Sequence, residues 1–305
     1  LKATIDKAGV FVIAPADSLT FSSAIAGYKA GEQVQAINAD SELAARRALI
    51  NELSQQLVLE TPDTIINTMF AFSKLRACES IYETAGGPMH GPGGESYCAA
   101  IWANDQAEYI SPYFPFTGYD YGCKSALNSF KHFARFINKD WTPIPSSIIA
   151  EGKDIWNGCG DRGDAAMIAY GASRYVLARG SKSEAKQLWD LIAWCLEYCR
   201  HKLTPEGVVA SDTDELEGRF PSGKANLCTS SLYYDALLSA SYIAKELGEP
   251  AALSKSYRDM AIAMRKNINK YFGAKVEGFD TYAYYKGNDT LRSWICIPLT
   301  MGIED

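Results

Sequence analysis

From about residue 40 the chain reads as helix pairs joined alternately by short and long links, and that alternation limits the available folds more than any other feature. Asp40 or Ser41 is placed to cap a first helix with Leu43, Ile50 and Leu57 on one face, supported by Leu53. Thr61 caps a second, with Pro62 at its first position and Ile65, Ile66, Met69, Phe72 and Leu75 as its apolar residues. A third, short helix follows Asp105 and is limited by Pro112; a fourth runs from about Tyr121 with Phe130, Phe133, Ala134 and Ile137 inward. A fifth spans about Asp164–Ala178 and stops at Gly180. The sixth opens with Ser181 and Glu184 in capping-box spacing and carries Leu188, Ile192, Cys195 and Cys199. The seventh holds Leu232, Ala236 and Ile243 and stops at Gly248. The eighth follows Pro250, with Leu253, Tyr257, Met260, Met264 and Ile268.

The long links fall at about 83–104, 138–160, 204–225 and 273–290. They recur roughly every 55–70 residues, which marks a helix-hairpin repeat. A helix pair cannot bury its apolar faces alone, so such pairs stack into an open solenoid or a closed ring. In either, the long loops emerge on one side, and loops longer than about 12–15 residues in a compact domain are usually functional. Residues 1–38 read differently. Val10, Phe11, Val12 and Ile13 form an apolar run ending at Pro15, and turn-bounded pieces around Ser22–Tyr28 and Gln33–Ala36 follow; all three read as strands.

A net charge of −6 with no basic cluster argues against a nucleic-acid partner. No apolar run reaches the ~18 residues of a membrane span, and no signal peptide is visible after Leu1. Eight scattered cysteines in 305 residues make no disulfide framework and are expected as buried thiols. Cys195 and Cys199 share a helix face but His201 points elsewhere, so no zinc site is expected there. No cofactor or metal is implied, and oligomeric state is left open.

The loops carry the chemistry. The first contains Gly86-Gly87-Pro88, Gly91-Pro92-Gly93-Gly94-Glu95 and Trp102-Ala103-Asn104-Asp105, where Asp105 either caps the next helix or faces a site. Its glycines lack the spacing of a phosphate loop. The second contains Trp141, Trp156 and Gly160-Asp161-Arg162-Gly163-Asp164, which is either a cap with a structural ion pair or part of a site. The third reads Ser211-Asp212-Thr213-Asp214-Glu215-Leu216-Glu217-Gly218-Arg219-Phe220, either a solvated acidic loop or a site. The fourth, Gly278-Phe279-Asp280-Thr281-Tyr282-Ala283-Tyr284-Tyr285, is strand-like. Acid, glycine and aromatic thus recur at the start of alternate helices. Hydrolysis of a glycosidic bond needs one protonated carboxyl group for the leaving oxygen and one ionised group to activate water. Crowded carboxylates and partial burial supply the raised pKa of the first, and aromatic faces suit a sugar ring.

Three stretches resemble the six-hairpin glycosidases, whose (α/α)6 barrel is shared by trehalases, the related processing α-glucosidases, glucoamylases and α-L-rhamnosidases. Pro92-Gly93-Gly94 through Tyr97 to Trp102 and Asp105 is similar to the trehalase-type segment whose Asp grips the sugar. Glu215-Leu216-Glu217-Gly218-Arg219-Phe220, with Asn226-Leu227 and Leu232-Tyr233, resembles the loop bearing the general acid. Leu247-Gly248 through Tyr257 and Ala261 to Tyr271-Phe272 follows the next hairpin. The resemblance implies an all-α (α/α)6 toroid over 39–305 with about eight of its twelve helices, incomplete at the C-terminus, and the tail of a β-sandwich over 1–38. It implies a glycoside hydrolase, inverting, acting on an α-linked oligosaccharide or glycoside, exported more readily than cytoplasmic. Glu217, Glu215 and Asp214 are its catalytic candidates, with Glu217 favoured because it directly precedes Gly218 and Arg219. Asp105, Asp161, Arg162, Asp164 and Arg219 would hold the sugar between Trp102 and Trp156. The family acid is often an Asp after an aromatic residue, a departure that leaves the assignment open by two or three positions. The general base is expected on a loop after the tenth helix. A phosphorylase on the same fold would differ by phosphate dependence, and a non-catalytic glycan-binding module by binding without cleavage. A zinc-dependent cyclase toroid is disfavoured by a chain with three histidines.

Overall fold

Helical hairpins form where that periodicity places them. The structure, a computed structural model, describes residues 13–20, 22–28, 30–33, 36–91, 97, 99–151, 154–158 and 160–304. Val10, Phe11 and Val12, the Pro92-Gly93-Gly94-Glu95 segment, Cys98 and Cys159 lie outside them. The chain divides into two units, residues 1–71 and 72–305.

In the first unit, no strand forms among the described residues of 13–38. The expected strand around Ser22–Tyr28 is therefore corrected to irregular chain, since a strand exists only with a ladder partner for its amides and carbonyls. Helix α1 spans Ala39–Gln55. Its cap is Asn38, not Asp40 or Ser41; Asn38 Oδ1 accepts from the Asp40 and Ser41 amides at 3.1 Å each. Helix α2 spans Thr64–Glu79, across the division between units. Asp63, not Thr61, caps it, accepting from the amides of Ile65 at 2.8 Å and Ile66 at 3.3 Å. Of its apolar residues, Ile65, Ile66, Met69 and Phe72 are exposed. Periodicity identifies an apolar face but not what covers it.

The second unit is built of three hairpins. A π-helical turn, Asp105–Ile110, runs into α3 (Ser111–Thr117) and is followed by α4 (Asp120–Ala134). The expected stop at Pro112 is corrected: Pro112 sits in the first turn of α3, where a missing N–H costs nothing. Helices α5 (Asp164–Arg179) and α6 (Lys182–His201) turn at Gly180 and Ser181. Helices α7 (Leu227–Leu247) and α8 (Ala251–Phe272) turn at Gly248 to Pro250, and α9 is the short Ile297–Thr300. Helix α5 packs on α3, the π turn and α7, so these make an inner row with α4, α6 and α8 outside. The contact is close: a Cβ on Gly171 would stand 2.2 Å from the Ala107 carbonyl oxygen.

The long links are tied to one another. Strands β1 (Ile81–Thr84) and β2 (Gly87–His90) form a hairpin. Strands β3 (Ala100–Trp102), β4 (Ser147–Ile149) and β5 (Ile155–Asn157) make one antiparallel sheet from the first and second links. The Asp161 carbonyl accepts from the amides of Asp212 at 2.8 Å and Thr213 at 3.1 Å, joining second to third. Leu227 N–H donates to the Tyr284 carbonyl at 2.9 Å, joining the α7 start to the fourth, which contains the hairpin β6 (Gly273–Val276) and β7 (Phe279–Tyr282). No described helix is long and apolar enough to cross a membrane.

Candidate active site

Several hollows of similar size open on the surface, so volume does not select a site. The one of about 490 Å³ is lined by three carboxyl side chains, Asp105, Glu215 and Glu217, and by Arg162 and Arg219. Four other hollows of comparable size carry one carboxylate at most. Tyr97, Trp102 and Trp156 form one wall, each ring edge-on to the other two at centroid distances of 4.9–6.4 Å. Asn104 and Leu216 complete the lining.

Arg162 organises the floor. It is 1% exposed, and donates to Asp164 Oδ1 at 2.9 Å, Glu217 Oε1 at 3.2 Å and the carbonyls of Ser146 (3.3 Å) and Glu215 (3.4 Å). One guanidinium therefore spans the first residues of α5, the second link and the acidic third loop, a use of the planar five-donor group that lysine could not match. The acidic loop turns at Glu217 and Gly218, both left-handed at φ +57° and +75°. Glu217 also lies 3.9 Å from Arg219.

Three of the sequence-predicted acids do not line the cavity. Asp161 accepts from the Tyr198 hydroxyl at 2.6 Å and the Gly163 amide at 2.9 Å. Asp164 is bound to Arg162. Asp214 accepts from the Tyr284 hydroxyl and the Leu216 amide, both at 3.0 Å, and lies 3.5 Å from Arg292. All three are almost wholly buried and hold the loops in place. Trp102, Asp105, Trp156, Arg162, Glu215, Glu217 and Arg219 are brought together, from three separate links. Asp105 makes no capping bond; it opens the π turn at the cavity, and burial raises its pKa against the pull of Arg162.

Sequence reasoning missed Glu108 and Tyr109, on the same π turn. The Tyr109 hydroxyl donates to Glu215 Oε2 at 3.1 Å. Glu215 is 5% exposed, and burial pushes its carboxyl up to about 7. Glu108 is raised well above the ordinary range, by burial first and by the adjacent Glu215 second. The signal available was Asp105 and Glu108 three positions apart after Trp102, one helical turn. Glu108, Glu215 and Cys228 of α7 form a group of possible metal-ligating side chains, their ligand atoms within 4.8 Å of one another.

No protein-family model and no curated protein matches the sequence. Solved structures do. An unsaturated glucuronyl hydrolase from Streptococcus agalactiae aligns at TM-score 0.56 and 15% identity, over 78% of this chain and 64% of that one. A metal-independent alpha mannosidase of Streptococcus pneumoniae aligns at 0.55 and 11%, over 81% and 68%. A glycoside hydrolase of family 105 from C. acetobutylicum aligns at 0.50 and 12%, over 72% and 62%. The chain thus spans 62–68% of the length of these three proteins. All are six-hairpin (α/α)6 glycosidases, and the fold of this chain is theirs.

Proposed function

We propose that the cavity binds a sugar and that the protein is an O-glycosyl hydrolase in which Glu215 is the general acid. The observation that carries this reading is a carboxyl group in the cavity lining, raised by burial to about 7 beside a wall of three aromatic rings. A glycosidase acid must hold its proton near neutral pH and release it to the leaving oxygen. Sequence position favoured Glu217, but its carboxylate faces Arg162 and Arg219, an arrangement suited to fixing the guanidinium rather than to delivering a proton. Asp214 is turned away from the cavity and engaged by Tyr284. Asp105 and Arg219 meet the sugar hydroxyls, Tyr97, Trp102 and Trp156 its apolar face, and Arg162 holds Glu217 in place from beneath. Asp161 and Asp164 act through the residues they hold.

The finer reading, inversion at an α-linked bond, comes from the motif resemblance. The names of two structural neighbours, an alpha mannosidase and a glucuronyl hydrolase, support the coarser reading of glycoside hydrolysis on this fold. No residue of this chain is assigned to water activation. The test compares Glu215→Gln and Glu217→Gln on α-linked disaccharides and on aryl α-glycosides whose leaving group needs no protonation. Glu215→Gln is expected to lose disaccharide turnover about 10²–10⁴-fold and aryl glycoside turnover far less. Equal losses on both substrates, or full disaccharide activity in Glu215→Gln, would remove Glu215 from this role. The anomer first released, read by proton NMR, decides inversion.

A further inference from the structure

Two carboxyl groups meet beneath the cavity, and their hydrogen-bond accounting does not close without an extra proton. Glu215 Oε2 receives the Tyr109 hydroxyl. Glu215 Oε1 is buried and no donor of the described residues reaches it. Glu108 Oε1 is likewise buried without a donor. An ionised carboxylate can only accept, so two ionised groups side by side would leave both inner oxygens unsatisfied and two like charges together. The remaining groups around Glu108 do not resolve this. Tyr109 is already committed to Glu215, and the Arg162 guanidinium is spent on Asp164, Glu217 and two carbonyls. Asp164 adds negative charge, while Cys228 and Tyr170 contribute a thiol and a phenol whose own pKa values are raised, chiefly by burial. Glu108 stands on a π-helical turn closed by the bond from Ser111 N–H to the Gln106 carbonyl, a geometry often found at functional sites.

We propose that Glu108 is a permanently protonated acid that donates a hydrogen bond to Glu215 and is its positioning residue. The catalytic part of this proposal rests on the reading of Glu215 as general acid. When Glu215 passes its proton to the leaving oxygen, it becomes a carboxylate already facing two donors, the Tyr109 hydroxyl and the Glu108 carboxyl. Such donors stabilise developing charge without rearranging during the reaction. Solvent entering the cavity then returns the proton to Glu215; Glu108 keeps its own throughout.

The test is carbon-13 NMR of the whole chain labelled at the glutamate carboxyl carbons, followed from pH 4 to 9. In the wild type, one glutamate signal should remain at its protonated position at pH 8, and that signal should vanish in Glu108→Gln. Glu215 should titrate near its wild-type pH in Glu108→Gln, whose amide still donates, and roughly one unit higher in Glu108→Leu, which removes the donor. A Glu108 signal that titrates in the ordinary carboxylate range overturns the proposal. So does one zinc per chain retained through dialysis at pH 7 and lost in Cys228→Ser, because both carboxyls would then be ionised ligands. These readouts need no substrate. They therefore stand apart from the Glu215→Gln kinetics, and either reading can fall alone. On a hydrolysed glycoside, the high-pH limb of kcat/KM should move up in Glu108→Leu and return in Glu108→Gln, which a purely structural role would not produce.

Discussion

Replacing Glu215 by Gln should change how the stability of this protein depends on pH, and the size of the change follows from burial. In the folded chain the carboxyl is raised from 4.5 to about 7. A raised acid binds its proton more tightly in the folded state, so its contribution is fully present below the unfolded pKa and is lost as pH rises through the folded one. The shift corresponds to roughly 3 kcal/mol in full, at 1.36 kcal/mol per unit. Between pH 5 and pH 8, where most but not all of the window is crossed, roughly 2–3 kcal/mol is lost. Urea denaturation of wild type and Glu215→Gln at both pH values reads this residue together with its effect on the adjacent Glu108, whose carboxyl Glu215 helps to raise. With a urea slope of about 3 kcal/mol per molar, the wild-type midpoint should fall roughly 0.7–1 M further than that of the variant over the same interval. Identical pH dependence in the two proteins would refute the claim that Glu215 is desolvated, and with it the basis for its proposed role.

Two further outcomes bear on the scaffold beneath the cavity. Arg162→Met should cost about 3–5 kcal/mol in the same assay, because Asp164 is left buried without its partner; a loss under 1 kcal/mol would mean that Arg162 does not organise the floor. Gly163→Ala should be destabilising by about 2 kcal/mol or more, since the residue sits at φ +86° and its Cβ would fall 2.4 Å from Thr229 Oγ1, whereas Gly180→Ala, left-handed but in open space, should cost only about 1 kcal/mol. Thermal melts of the pair separate steric conflict from backbone strain.

The helices of the second unit were legible because their signals are local. Ser181 with Glu184, Gly180 and Gly248 mark ends within one turn of where the helices stop. Asn38 and Asp63 were passed over for nearby polar residues, since several consecutive residues could cap and only backbone geometry selects one. The acidic loops were also legible as acidic loops. Which carboxylate faces the cavity was not. Asp161 is turned inward by Tyr198, 37 residues away, and Asp214 by Tyr284, 70 residues away. Glu108 hid for the opposite reason: an acid one turn after Asp105 in a helical stretch reads as a solvated face until tertiary packing closes over it.

The cross-links between successive loops bear on the order in which the molecule becomes competent. Each hairpin can form from neighbours in sequence, but Tyr109 meets Glu215 across 106 residues and Arg162 meets Glu217 across 55. Contacts of that separation carry a loop-closure cost that helices do not. On refolding, helical signal should return first. The hollow, with the perturbed acid inside it, should exist only once the first, second and third links have locked together, making it the last part of the chain to mature.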